Sequence, residues 1–399
     1  MKIKLAKLID EIQPSATIKL SAKAKQMKAS GIDVINLTAG EPDFDTPDNI
    51  KQAARKALEQ GFTRYLPAAG LPELRKAVAE AESKKLNASS YQLENVAIAS
   101  GCKHAIYNSL LSICNPGDEV IIPVPYWVSY PYLVKLAGAK PVYLETKDRG
   151  FLVDPQRLSS MITSKTKALF LNSPSNPVGN VYPRDHLIKI WEVVKSHPDL
   201  FIISDEIYDH IVFDDLQHIS IASVDPQAKQ RTIIVNGVSK TYAMTGWRIG
   251  WNVAESDIIN NSVKIQSHTT SCACSISQWA ALEAVTGNQD CINQMSSAYQ
   301  KRKNLLLNKL KSIDHLEAAP IQGAFFAWLD ISWFLEKCTN SKIKSGLDLT
   351  DYLLEQKHLA VVPGNAFGDD YAIRISYAVS ESDLSEGIKR LEQGLMEIT

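Results

Sequence analysis

Val238-Ser239-Lys240-Thr241-Tyr242-Ala243-Met244-Thr245-Gly246-Trp247-Arg248-Ile249-Gly250 follows an apolar run, Thr232 to Val235, that reads as a strand. Lys240 therefore stands in a small-residue loop at a strand end, with Arg248 eight positions on. A lysine amine condenses with a carbonyl carbon, and at neutral pH it is nucleophilic only when desolvated or set beside another cation. A guanidinium suits the two-pronged capture of a phosphate. A surface Ser-Lys-Thr turn is the ordinary reading of those three residues alone, so the decision passes to the flanking sequence.

Outward from this stretch, short apolar runs alternate with amphipathic ones. Val96–Ala99, Glu119–Ile122, Pro141–Leu144, Ala168–Leu171, Phe201–Ile203, Thr232–Val235 and Ile249–Val253 read as strands, several of them apolar on both faces. Lys103–Ile113 and Arg184–Lys195 read as helices between them. The alternation predicts an α/β fold, a mainly parallel sheet of seven strands between helices, with ligands at the carboxyl ends of the strands. After about residue 290 charged helices (Ala298–Leu310, Glu381–Met396) surround short strands (Gly323–Leu329, Ala372–Ser376), the texture of a smaller α+β domain.

Candidate chemistry falls at the predicted strand ends. Asp205 ends the run Phe201–Ile203-Ser204-Asp205; a buried carboxylate is costly unless paired, and a protonated ring nitrogen would pair it. A helix N-cap is the other use of such an aspartate. Ser100-Gly101-Cys102-Lys103 opens a helix after a strand, where free N–H groups and the helix dipole favour an anion. Asn172-Ser173-Pro174-Ser175-Asn176-Pro177-Val178-Gly179 is a turn-forming loop after another strand. Trp127 sits in an aromatic cluster, Pro125-Tyr126-Trp127-Val128-Ser129-Tyr130, that reads equally well as core. Arg374 lies inside the apolar strand Ile373-Arg374-Ile375, an unusual place unless it meets an anion. A lysine for an aldehyde and an arginine for a phosphate describe pyridoxal 5'-phosphate, which also needs an anion at its ring nitrogen.

The string around Lys240 closely resembles the cofactor-lysine signature of the class I pyridoxal-phosphate aminotransferases, and the other motifs match that family in order from about Pro14 to Ala378. The resemblance implies the fold-type I architecture: a large cofactor domain over residues 45–290, with residues 1–44 joining 291–399 in the small domain. It implies a catalytic Lys240, an Asp205 on the ring nitrogen, and Tyr208 and Asn176 on the cofactor's phenolic oxygen. Trp127 would stack on the ring. Gly101, Cys102, Lys103, Ser239 and Arg248 would cradle the phosphate; Gly237 stands where many relatives carry a second hydroxyl. Tyr65 would reach the phosphate of a neighbouring subunit, making the active unit a homodimer. Arg374, with the backbone at Gly40, would hold the substrate α-carboxylate, beside Trp127 and Asn176. Ser15, Thr17 and Lys103 resemble the residues with which subgroup Iγ (1b) aspartate aminotransferases read an acidic side chain. Transfer of the amino group from L-aspartate to 2-oxoglutarate is the implied reaction. Prephenate or aromatic aminotransferases are the alternatives.

Bulk properties agree with such a chain. At 399 residues two domains are expected, and a net charge of -1 argues against a nucleic-acid or polybasic membrane surface, so any anion site must be local. The six cysteines (102, 114, 272, 274, 291, 338) lack zinc-type spacing, and no metal is expected. Without a signal-peptide core or a membrane-length apolar run, the expected compartment is the cytoplasm.

Overall fold

The computed structural model describes residues 6–14, 16–86 and 90–399. Its strands are β1 Ile35–Asn36, β2 Val96–Ala99, β3 Glu119–Val124, β4 Lys140–Glu145, β5 Thr166–Asn172, β6 Phe201–Asp205, β7 Thr232–Gly237, β8 Gly250–Val253, β9 Glu317–Ala318, β10 Phe326–Asp330, β11 Leu359–Ala360, β12 Val362–Pro363 and β13 Ala372–Ser376. Among the described residues, seven strands form one sheet in the order β2-β8-β7-β6-β5-β3-β4. Only β8 runs against its neighbours; β7, β6, β5, β3 and β4 are parallel. All seven runs read as strands from the sequence are present, within one or two residues at their ends.

Alternation of side chains along the strands assigns the two faces. Val96 and Ile98 of β2, Ile234 of β7 and Val253 of β8 pack with residues of helices Asp48–Glu59, Pro72–Ser83 and Ser275–Thr286. The intervening Ala97, Ala99, Ile233 and Val235 face helices Cys102–Ile113 and Ser256–Thr269. Both faces are thus dry, which is why these strands are apolar throughout, and each buried Val or Ile contributes about 1.5–3 kcal/mol.

A second, antiparallel sheet, β12-β13-β10-β9, carries helices Asp290–Leu310, Gly346–Lys357 and Glu381–Ile398. The strand expected at Gly323–Leu329 is β10, starting later: Ala324 takes a positive φ of 58°, turning the chain before Phe326. β1 pairs in parallel with β11, and Ser376 N–H donates to the Leu37 carbonyl at 2.8 Å, so residues near 36 lie against the C-terminal sheet. Among the described residues no helix is long and apolar enough to cross a membrane.

Candidate active site

The carboxyl ends of the parallel strands converge on a cavity of about 590 Å³, within the range that encloses a cofactor and small substrate. β2 delivers Cys102 and Lys103, β5 Asn172 and Asn176, β6 Asp205 and Tyr208, and β7 Ser239 and Lys240. Gly40, Trp127, Arg248 and Arg374 complete the wall. The structure therefore brings to one place almost every residue singled out above. Tyr65 is not among the lining residues and stands 89% exposed. Ser15 lies outside the described residues, and Thr17 lies on helix Ala16–Ala29, whose Ser21, Ala22 and Lys25 line the cavity.

Lys240 Nζ donates to the Gly40 carbonyl at 2.6 Å. Burial, aided by the charges of Arg248 and Arg374, lowers the ammonium to about 8, against the pull of Cys102 and Glu41. An amine so placed is a competent nucleophile near neutral pH. Asp205 is 4% exposed. Tyr130 donates its hydroxyl to Oδ2 at 2.7 Å, and the Ile207 N–H reaches Oδ1 at 3.3 Å. Burial outweighs these donors and pushes the carboxyl up to about 6. Asp205 does not cap a helix: β6 ends in a turn, leaving the carboxylate to the cavity. A cationic partner there would restore full ionisation.

Asn172 shapes the adjoining loop. It donates to the Asp205 carbonyl at 2.9 Å and accepts from the Asn176 N–H at 2.8 Å. The Asn176 side chain in turn hydrogen-bonds the buried Tyr208 hydroxyl and accepts from Arg374 Nη1 at 2.9 Å. Arg374 Nη2 donates to the Thr38 carbonyl at 2.9 Å, while the buried Nε has no partner among the described residues. The guanidinium lies over the Phe326 and Phe367 rings, 4.3 and 5.0 Å from their centroids, and desolvation lowers it to about 10. Such a cation, held by neutral acceptors, is prepared for a carboxylate.

Helix Cys102–Ile113 opens at Gly101, whose φ of 88° only glycine adopts readily. A Cβ there would sit 2.3 Å from Arg248 Nη2, so the absent side chain lets the guanidinium close over the first turn. Packing explains Gly237 too: its Cβ would lie 2.8 Å from Gly250 Cα and 3.0 Å from Cys102 Sγ, leaving no room for a hydroxyl. These backbone N–H groups, Ser239 and Arg248 are a donor set that fits a phosphate. Lys103 Nζ lies 5.0 Å from the Trp127 ring centroid, and partial desolvation and the Arg248 charge lower its pKa.

Five cations line the cavity, Lys25, Lys103, Lys240, Arg248 and Arg374, against two carboxylates, Glu41 and Asp205. Among the described residues, none of the five has a carboxylate within 4.0 Å. In a chain of net charge -1 this excess of positive charge is local to the cavity. Sequence reasoning missed Tyr130, Asn172, Thr38 and Lys25. Tyr130 was in view, three residues after Trp127, but only the burial of Asp205 shows the need for a donor.

Comparison with known proteins agrees with this geometry. The family model for aminotransferase class I and II matches residues 32–391. The chain is 43% identical to an aspartate aminotransferase of Bacillus sp. (strain YM-2), over 98% of this chain and 99% of the relative. It is 42% identical to an aspartate/prephenate aminotransferase of Cereibacter sphaeroides, covering 97% and 98%. Among solved structures, the aspartate aminotransferase of Rhizobium meliloti superposes with a TM-score of 0.95 at 40% identity, covering both chains fully. That of Thermus thermophilus with maleate gives 0.91 at 39%, covering 98% and 100%. The cations without a carboxylate partner, the lysine at a strand end and the matches along the whole chain converge on one family: this chain belongs to the class I and II aminotransferases.

Proposed function

We propose that this aminotransferase is an aspartate aminotransferase that carries pyridoxal phosphate on Lys240 and moves the amino group of L-aspartate to 2-oxoglutarate, giving oxaloacetate and L-glutamate. The observation that carries the reading is the set of five cations around one cavity that have no carboxylate partner among the described residues, Arg374 among them fully buried. Phosphate and two substrate carboxylates are the anions they would meet. The Thermus relative solved with maleate, a four-carbon dicarboxylate, supports the same reading.

When bound, the cofactor supplies an aldehyde for Lys240 and a ring that accepts the electron pair left as the Cα proton departs. Ser239, Arg248 and the N–H groups at Cys102 and Lys103 would hold its phosphate, the Gly101 N–H being spent on the Ala99 carbonyl at 2.8 Å; Trp127 would hold its face, Asn176 and Tyr208 its phenolic oxygen. Asp205 would keep the ring nitrogen protonated, itself held ionised by that contact and by Tyr130. Arg374, steadied by Asn176 and Thr38, orients the α-carboxylate with the Gly40 backbone. Lys240 Nζ would take the proton from Cα and deliver it as general acid. Lys103, with Ser15 and Thr17, would read the distal carboxylate. Tyr65, projecting into solvent, would complete the phosphate site of the partner subunit in a homodimer, the large unit spanning residues 45–290 and the small unit 1–44 with 291–399. Six free thiols suit a reducing cytoplasm.

Oxaloacetate formation from aspartate and 2-oxoglutarate by the purified protein, with glutamate, prephenate and phenylalanine as competitors, tests the substrate. Phenylalanine turned over as well as aspartate would overturn it. Borohydride should fix the cofactor to the peptide holding Lys240, and a label on another lysine would defeat that assignment. Mixed Tyr65→Phe and Lys240→Ala subunits should form hybrids more active than the Tyr65→Phe parent. Prephenate is the second reading: it is also a dicarboxylate, and relatives at 42% identity are named for both activities.

A further inference from the structure

Behind the cavity lies a second charged group with the opposite character. Lys85, just past helix Pro72–Ser83, places Nζ 2.6 Å from Glu82 Oε2, 2.6 Å from Asp209 Oδ2 and 3.6 Å from Glu206 Oε2. The three carboxylates are buried, and the lysine side chain is only 20% exposed. Glu206 also accepts from Ser204 at 2.9 Å and Ser220 at 2.6 Å, and its Oε2 lies 2.9 Å from His218 Nε2. Asn236 Nδ2 donates to Asp209 Oδ2 at 2.8 Å and Glu82 Oε1 at 3.3 Å, and Trp251 Nε1 donates to that Glu82 oxygen at 3.1 Å. Burial alone would lower the Lys85 ammonium, but the three carboxylates hold it well above the ordinary value.

The cluster occupies a telling position in the chain. Glu206 and Asp209 bracket the turn that follows β6, so the segment between them carries Tyr208 and its start adjoins Asp205. Asn236 lies in β7, four residues before Lys240. Lys85 therefore ties the turn that follows Asp205 to helix Pro72–Ser83, and Asn236, through Asp209 and Glu82, joins the same group to the strand that precedes Lys240, although Lys85 lines no part of the cavity.

We propose that Lys85 is a positioning residue for the transamination reaction: by holding Glu206 and Asp209 against Glu82, within the group that Asn236 joins to β7, it fixes Asp205 and Tyr208 relative to Lys240. Without its charge three buried carboxylates face one another, and such groups separate or take up protons. Either response moves the turn, and a shift near 1 Å at a catalytic group lowers turnover on the order of a hundredfold. This rests on the proposed cofactor for both readouts and on the proposed substrate for its kinetics alone.

The test uses the holoenzyme. Lys85→Met should lower kcat for aspartate roughly a hundredfold while leaving KM near the wild-type value, since no substrate contact is removed. The visible circular dichroism of the bound cofactor should change, and the cofactor should dissociate more readily. Lys85→Arg should recover most of the loss. Asp209→Asn, which lightens the buried charge and so folds even if Lys85→Met does not, should give the same split and the same spectral change on a smaller scale. Wild-type kcat and circular dichroism in Asp209→Asn, and in Lys85→Met where that variant folds, would overturn the proposal, whatever happens to melting temperature. A wild-type enzyme inactive on aspartate would instead count against the substrate reading, and the spectral comparison would still decide the role of Lys85.

Discussion

The cavity holds five cations without a carboxylate partner, whereas the cluster at Lys85 holds three buried carboxylates around one lysine. In sequence Lys85 and Lys103 look alike, each next to the end of a helix. In the fold one is consumed by its own chain and the other is left free. Charge met by groups of its own chain locks elements together; charge left without such a partner marks where a ligand of opposite sign belongs. Asp205 stands between the two regions, a buried carboxylate one residue from the matched group and open to the unmatched one.

The contrast is broken most severely at Lys240. Lys240→Ala removes both the covalent anchor and the proton carrier, so turnover should fall at least about a thousandfold, while the cofactor, still held by the remaining cations, should bind in absorbance titrations. Retained turnover would mean that the cavity's chemistry lies elsewhere.

Asp205→Asn should come next, with a loss of about a hundred- to a thousandfold in kcat, because the ring loses the charge that stabilises its protonated nitrogen. The cofactor-free protein should respond in the opposite sense. Folding raises the Asp205 pKa from 3.8 to about 6. Its stabilising contribution is therefore complete below about pH 4 and disappears as pH rises through 6. Across that window cofactor-free Asp205→Asn should gain stability relative to wild type, read from melting temperature against pH. A parallel pair of curves would show that Asp205 is already paired without cofactor.

Lys103→Ala should cost about ten- to a hundredfold in kcat/KM for aspartate and glutamate, far less for phenylalanine, as a lost charge-assisted contact of about 1.5–3 kcal/mol requires. Its melting temperature should not move, unlike that of Lys85→Met, where breaking a buried ion pair costs about 3–5 kcal/mol. Equal losses on acidic and neutral substrates would assign Lys103 to the cofactor alone. Lys25→Ala should show the smallest effect. Lys25 is an exposed cation at the cavity wall, so kcat/KM for aspartate should fall only about two- to fivefold at low salt, and the difference should vanish near 0.5 M salt. A salt-independent loss would make Lys25 a direct contact.

How much of this was legible in the sequence follows the same division. The inner strands could be read because strands dry on both faces must be apolar throughout, the half-exposed edge strand β4 only from its short apolar centre, and Arg374 stood out as a charge inside an apolar run. Lys240, Asp205 and Asn176 could be located because they end strands. Partnering could not be read, because it depends on residues distant in the chain: Tyr130 meets Asp205 across 75 positions and Lys85 meets Asp209 across 124. Lys25 was invisible for a related reason, since only the path of helix Ala16–Ala29 over the cavity turns a surface lysine into part of its wall.

The bond from Arg374 to the Thr38 carbonyl joins residues 336 positions apart, beside the parallel pairing of β1 with β11. On a ribosome adding about 5–20 residues each second, the segment around Thr38 emerges on the order of tens of seconds before its partner exists. The seven strands of the large sheet, all encoded before residue 254, can assemble in that interval. The Arg374–Thr38 bond cannot: it forms only after residue 374 has been added, so a chain that stops before it can hold the large sheet yet lack the proposed grip on a substrate carboxylate.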